Sequence, residues 1–406
     1  MKYIDGGVCA AQGFKASGLH CGIRKNKTKR DVALILSEKV GTAAAVYTTN
    51  LVKGAPILVD MENLADGKAQ AIIVNSGNAN TCNADGVEKA MQMCKIAARQ
   101  CAVLPSNVIV ASTGVIGMPL DVTPIEKSIG QLYWDLEHSV AGSRNAAEAI
   151  MTTDTTIKEV AVEFELGGKV CRMGGIAKGS GMIHPNLATM LIFITSDVAI
   201  SSEMLQKALK ADVNNTFNMI SVDGDTSTND TVAIISNGMA GNKLINSEGE
   251  EYDVFCKALY MITSKLCKML AADGEGATKL LECIVTGGKD VQTAQTVAKS
   301  VICSSLLKAA MFGADANWGR VLCAIGYSGA DVDINKIDVA FKSAKGELPV
   351  CKNGAGIPFS EEKAKEILLE NEIDILINLN DGASCATAWG CDLTYDYVKI
   401  NGDYRT

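Results

Sequence analysis

The sequence predicts a mixed fold, α/β or α+β, in packed layers of strands and helices. Two of the observations behind this are short apolar runs bounded by Asn, Ser and Gly, such as Ala71-Ile72-Ile73-Val74 and Val108-Ile109-Val110, and helical spacing in the segments that separate some of them. The third is the alternation of Val160, Val162, Phe164 and Leu166 with Ala161, Glu163 and Glu165, the two-residue period of a half-exposed strand.

Taken in order, Gly86 to Cys101 puts Val87, Ala90, Met91, Cys94, Ala97 and Cys101 on one helical face. Thr123-Pro124-Ile125-Glu126 reads as a capping box with Pro at the first helical position. Gly167-Gly168 reads as a hairpin turn after the alternating strand. A glycine-rich loop is expected from Gly174 to Gly181, followed by the strand-like run Met190-Leu191-Ile192-Phe193-Ile194. Further helices are expected near Ser202 to Phe217, Asp253 to Ala272, Val291 to Gly313 and Ser360 to Glu370, and strands near Val232 to Ile235 and Ile373 to Asn378. Pattern alone leaves the topology open.

With 406 residues the chain exceeds one ordinary core, which predicts two or three domains. Hydrophobic residues make up 48%, charged residues 21%, and there are only 7 prolines, so the balance is globular. A net charge of −8 argues against nucleic-acid or anionic-membrane partners, which need a basic face. No signal peptide and no long apolar span is read from the sequence, so a cytoplasmic address is expected. The 14 cysteines include no C-x-x-C pair and read as reduced thiols, and three separated histidines predict neither a metal site nor a His-based triad.

The chemistry is expected in Lys178-Gly179-Ser180-Gly181-Met182-Ile183-His184-Pro185-Asn186-Leu187-Ala188-Thr189-Met190-Leu191, where a glycine loop brings a hydroxyl residue to the mouth of a strand. A Thr hydroxyl needs a base. In so His-poor a chain the nearest is the α-amine of the same residue, with an ordinary pKa of about 7.7–8.0. That amine exists only once the Ala188–Thr189 bond is cut. On pattern alone Thr189 reads first as a β-branched residue capping or opening a strand. A Walker phosphate loop is rejected, because Lys178-Gly179-Ser180 has the wrong order and leads into a strand.

The same stretch resembles the self-cleavage motif of the ornithine acetyltransferase family, bifunctional glutamate N-acetyltransferase/amino-acid acetyltransferases of arginine biosynthesis. The resemblance spans nearly the whole chain, through Val46-Tyr47-Thr48-Thr49-Asn50, Val74-Asn75-Ser76-Gly77-Asn78-Ala79-Asn80, Ser112-Thr113-Gly114-Val115-Ile116-Gly117, Asp223-Gly224-Asp225-Thr226-Ser227-Thr228-Asn229-Asp230, Gly313-Ala314-Asp315-Ala316-Asn317-Trp318-Gly319-Arg320 and Ala388-Trp389-Gly390-Cys391-Asp392-Leu393.

The resemblance implies an αββα layered fold of the self-processing N-terminal-nucleophile type. It implies cleavage between Ala188 and Thr189 into residues 1–188 and 189–406, with assembly as α₂β₂. The expected domains are 1–188, 189–285 and 286–406. Thr189 would carry acetyl from N-acetylornithine to glutamate, with Thr113 and Gly114 as the oxyanion hole. Thr152, Lys178, Thr189, Glu275, Asn401 and Thr406 would bind substrate. Lys178 suits an α-carboxylate and Glu275 the side-chain ammonium of ornithine. No cofactor and no metal is implied, and whether acetyl-CoA serves as a co-substrate stays open. Read without the resemblance, Thr113-Gly114 is a strand-ending turn, Lys178 and Glu275 are solvated loop charges, and Asn401-Gly402 is a turn. The rival functions are an N-terminal-nucleophile amidase or aminopeptidase, and an uncut small-molecule binding protein.

Overall fold

The computed structural model describes residues 1–184 and 190–403. It is mixed α/β with two sheets, in keeping with the expected fold class. The nine-stranded sheet runs Lys2–Ile4, Lys158–Leu166, Lys169–Lys178, Leu191–Ser196, Thr231–Ser236, Val32–Tyr47, Lys68–Asn75, Val108–Ser112, with Phe14–Leu19 also paired to Val32–Tyr47. The register of Val32–Tyr47 against Lys68–Asn75 shifts between Leu36 and Gly41. An irregularity of this kind bends a strand, and the two halves of this 16-residue strand pair with different neighbours.

The seven-stranded sheet runs Ala355–Gly356, Gly346–Lys352, Asp338–Ser343, Glu372–Asn378, Leu280–Gly288, Ser384–Cys391, Ile220–Ser221. The helix Glu250–Ala272 packs on strands of both sheets. Its Phe255, Leu259, Ile262, Leu266 and Leu270 follow the spacing of a continuous apolar stripe and enter one core cluster with Val162, Ile194, Leu281 and Val285.

The helix Gly86–Cys101 lies where its periodicity puts it. The Lys158–Leu166 and Lys169–Lys178 hairpin closes on Gly167-Gly168, Leu166 pairing with Lys169 and both glycines having positive φ (53° and 75°). Leu191–Ser196 is buried at every position, as a strand paired on both sides and covered on both faces must be.

Three local expectations are corrected. Thr123 opens its helix instead of capping it: the preceding Val122 supplies no side-chain cap, and the Asp121 carboxylate accepts the Thr123 N–H at 2.9 Å. Gly174 and Gly175 belong to the strand Lys169–Lys178, where a Cβ at Gly174 would lie 1.7 Å from the Gly7 carbonyl oxygen. Close backbone approach, not looseness, explains that glycine. The expected helix from Val291 to Gly313 is two helices, Val291–Cys303 and Ser305–Phe312, divided at Ser304, whose hydroxyl accepts the Leu307 N–H at 3.3 Å and caps the second.

Candidate active site

The parallel strands Lys68–Asn75 and Val108–Ser112 end in register, Asn75 opposite Ser112. Asn75 braces the turn beyond them: its Nδ2 donates to Ser112 Oγ at 2.7 Å, and its Oδ1 accepts the N–H groups of Gly77 and Asn78 at 3.2 and 3.0 Å. The Thr113 N–H donates to the Asn75 carbonyl at 3.0 Å. Gly114 then sits at φ +125°, where a Cβ would lie 2.7 Å from the Gly77 carbonyl carbon. Both conformation and space require glycine. Among the described residues no group hydrogen-bonds the Thr113 hydroxyl or the Gly114 N–H, and both residues line a cleft.

The opposite wall comes from the strands around the start of Leu191–Ser196. Lys178, the last residue of its strand, pairs with Leu191, and Thr231 flanks Leu191 on the other side. Asp230 Oδ1 accepts the Met190 N–H at 2.9 Å, and the Met190 carbonyl accepts the Thr231 N–H at 3.0 Å. Residue 190 is therefore held by backbone and carboxylate together. The second Asp230 oxygen is buried without a hydrogen-bond partner among the described residues, and burial raises its carboxyl well above the ordinary range despite the Met190 N–H and the Lys178 charge.

Lys178 is itself buried, and burial lowers its ammonium below the ordinary lysine range, opposed by the nearby Asp154. No acceptor among the described residues hydrogen-bonds that ammonium. Asp154 ties the wall together. Its Oδ1 accepts the Gly179 N–H and the Lys158 ammonium, both at 2.7 Å, and its Oδ2 accepts the Thr152 N–H at 3.0 Å. Lys158 in turn donates to Asp273 Oδ2 at 2.5 Å. Burial works against the Asp154 charge, but Lys158 and Lys178 outweigh it and hold the carboxyl at about 2.

Glu275 closes the third side. Its N–H donates to the Ser180 carbonyl at 2.8 Å, and a Cβ on Gly181 would fall 2.3 Å from its Oε2. Asn401, on the helix Tyr395–Asp403, donates Nδ2 to the same oxygen at 2.8 Å. Asp223 holds the chain ahead of the expected cleavage point by accepting the Met182 and Ile183 N–H groups at 2.6 and 2.9 Å.

Thr113, Gly114, Thr152, Lys178, Glu275 and Asn401 thus line one cleft of ≈ 80 Å³. Ala188, Thr189 and Thr406 lie outside the described residues. Among the described residues no group of three His, Cys, Asp or Glu is placed to hold a metal ion, and no helix is long and apolar enough to cross a membrane. Sequence reading gave Asp223 and Asp230 no site role beyond their place in a motif and passed over Asp154 and Lys158. Asp154 and Lys158 lie four residues apart, but Asp273 and Lys178, which complete their charge balance, are distant in the chain and leave no local sequence pattern.

The chain matches the ArgJ family over residues 15–406. It is 51% identical over 407 residues to the arginine biosynthesis bifunctional protein ArgJ of Caldanaerobacter subterraneus subsp. tengcongensis, with 100% of each chain covered. To the arginine biosynthesis bifunctional protein ArgJ 1 of Clostridium acetobutylicum it is 50% identical over 394 residues, covering 97% of this chain and 96% of that one. It is also similar to the crystal structure of the arginine biosynthesis bifunctional protein ArgJ from Bacillus halodurans, at 47% identity and TM-score 0.50, where 52% of this chain covers 98% of that one.

Proposed function

The chain belongs to the ArgJ family, and on that premise we propose that it is a self-cleaving acetyltransferase of arginine biosynthesis, moving acetyl from N2-acetyl-L-ornithine to L-glutamate. The observation that carries the reading is the cleft itself. The Gly114 N–H and Thr113 hydroxyl, without a hydrogen-bond partner among the described residues, share it with the buried Lys178 ammonium and the Glu275 carboxylate, and Asp230 anchors Met190, the residue after the expected nucleophile in sequence.

In the first step the Thr189 hydroxyl attacks the Ala188 carbonyl and the C–N bond breaks, the amide nitrogen leaving with the proton as the free α-amine of Thr189; water then hydrolyses the resulting ester, releasing the Ala188 carboxylate and the Thr189 hydroxyl. That amine, ordinarily near pH 7.7–8.0, is the base the hydroxyl otherwise lacks. The hydroxyl then takes acetyl from N-acetylornithine, ornithine leaves with the proton, and glutamate collects the acetyl group from the ester. Two easier acyl transfers replace one amine-to-amine exchange. Each passes through an oxyanion, for which the Thr113 hydroxyl and Gly114 N–H are the donors, worth roughly 3 kcal/mol apiece when aimed at the developing charge.

Lys178 pairs with the α-carboxylate common to both substrates. Glu275 receives the ornithine side chain, and its half-exposed position beside the exposed Asn401 leaves water to accommodate the glutamate carboxylate. The length of the Bacillus halodurans chain supports the cut, since about half of this chain accounts for nearly all of it. The cytoplasm is the proposed address and α₂β₂ the proposed assembly.

Intact mass spectrometry of the purified protein beside a Thr189→Ala variant tests the reading. Expected are two wild-type fragments, residues 1–188 and 189–406, and an uncut variant. An uncut wild type or a cut variant would overturn the mechanism, and acetylornithine hydrolysis that glutamate does not divert would replace transfer with amidase chemistry.

A further inference from the structure

Asn229 directly precedes Asp230 and lines the cleft, although neither acyl transfer uses it. Its side chain is buried with every hydrogen-bonding position taken. Nδ2 donates to the carbonyls of Ala79 and Ser112 at 2.6 and 2.9 Å, and Oδ1 accepts the hydroxyls of Thr81 and Thr228 at 2.6 and 2.5 Å. Carbonyls can only accept, which fixes the nitrogen end of the amide. An amide so filled has nothing left to offer a ligand.

The two carbonyls it holds bracket the oxyanion donors. The Ser112 carbonyl and the Thr113 N–H belong to one planar peptide unit. Asn229 holds its oxygen, and the Asn75 carbonyl accepts its N–H at 3.0 Å, so that unit is tied at both ends. Beyond Gly114, the Val115 carbonyl accepts the Ala79 N–H at 2.9 Å, while the Ala79 carbonyl goes back to Asn229. Thr113 and Gly114 therefore hang between two points that lead to one side chain. The next residue reaches the other reactant: Asp230 Oδ1 accepts the Met190 N–H at 2.9 Å. Neighbouring Cα atoms are about 3.8 Å apart, so Asn229-Asp230 is a short ruler between the oxyanion donors and the residue after Thr189.

We propose that Asn229 is a positioning residue for acyl transfer, holding Thr113 and Gly114 through Ser112 and Ala79 at a set distance from the nucleophile that Asp230 anchors through Met190. This role rests on the proposed acyl-enzyme chemistry. Under the proposed cut, Ala79 and Ser112 would lie in the first fragment and Asn229 in the second, so the amide would keep the donors in register after the chain is broken. Its effect falls on the chemical step. The oxyanion develops only toward the transition state, whereas Lys178 and Glu275 serve substrate binding.

Two variants test the role from different sides. Asn229→Asp keeps an oxygen for Thr81 and Thr228 and removes both donors. Gly54→Ala displaces the same amide without changing its chemistry: a Cβ there would lie 2.5 Å from Asn229 Nδ2, and the Gly54 φ of −60° suits alanine. Acetylornithine–glutamate exchange is measured per cleaved chain, with cleavage followed on denaturing gels. Expected are a kcat about 100-fold lower in Asn229→Asp and about tenfold lower in Gly54→Ala, the scale of a misplacement near 1 Å, with KM for both substrates within about twofold of wild type. Cleavage occurs once per chain and should still reach completion. An unchanged kcat in either variant, a loss expressed in KM, or a variant left wholly uncut would overturn the positioning role. A cleaved wild type that transfers no acetyl would instead overturn the proposed function.

Discussion

Lys178 is held in an unusual state for a lysine. Burial lowers its ammonium, Asp154 partly restores it, and among the described residues no hydrogen bond occupies it. Such an ammonium is ready for a carboxylate, because the desolvation cost has already been met in folding. Only the protonated form serves, so kcat/KM should fall as pH rises through a pKa below the ordinary lysine value of about 10.4. Lys178→Met should remove that alkaline limb and raise KM for both amino-acid substrates about 10- to 100-fold, the worth of one charge-assisted hydrogen bond. A pH–rate profile of both proteins checks this, and an alkaline limb that persists in Lys178→Met would assign it elsewhere. Asp154 reacts oppositely to acid: its folded pKa of about 2 lies below the unfolded value, so its stabilisation is present above about pH 4 and lost as pH falls toward 2.

Among the elements, the helix Ser202–Asn215 carries a comparable anomaly without a catalytic use. Asp212 faces the core side, its Oδ2 accepting the Thr216 hydroxyl at 3.2 Å while Oδ1 has no hydrogen-bond partner among the described residues. Burial pushes its carboxyl up to about 7, against hydrogen bonds from Thr263 and Thr216. The folded protein then holds a proton that the unfolded chain releases near pH 4, so stability falls as pH rises from about 4 to 7 and levels off above. Asp212→Asn should flatten that part of the stability curve and stabilise the protein at pH 8 by an amount on the order of 1–3 kcal/mol. Urea titrations at pH 5 and pH 8 measure it; a wild type equally stable at both would show that the carboxyl is not held protonated. The helix pair divided at Ser304 makes the same point about local pattern. Apolar periodicity ran unbroken from Val291 to Gly313, and the break was legible only in the serine that caps the second helix.

For the whole molecule, the topology decides what the proposed cleavage could do. Under the proposed cut, Leu191–Ser196 and Thr231–Ser236 would belong to the second fragment, yet they lie side by side in the nine-stranded sheet between Lys169–Lys178 and Val32–Tyr47, which would belong to the first. Separating the fragments would break ladders on both sides and expose Leu191, Ile192, Phe193 and Ile194, each worth about 1.5–3 kcal/mol in burial. The two fragments should therefore co-elute as one species in native size-exclusion chromatography and part only in denaturant. Fragments that exchange freely in native buffer would contradict the interleaved sheet.

The sequence by itself determined the mixed α/β class, the helix Gly86–Cys101, the Gly167-Gly168 hairpin and the buried run entering at Met190, because each is written in local periodicity or in glycine conformation. Its motifs also named the residues that the cleft gathers, although spacing alone would have left Thr113 and Gly114 as a turn and Lys178 as a loop charge. Tertiary structure alone decided that Lys178 is buried, that Asp154 joins Thr152 to Gly179, and that Asp230 anchors Met190. The physical reason is the same in each case. Burial and charge pairing depend on groups tens to hundreds of residues apart, and no local pattern encodes the desolvation or the partner that gives a buried charge its chemistry.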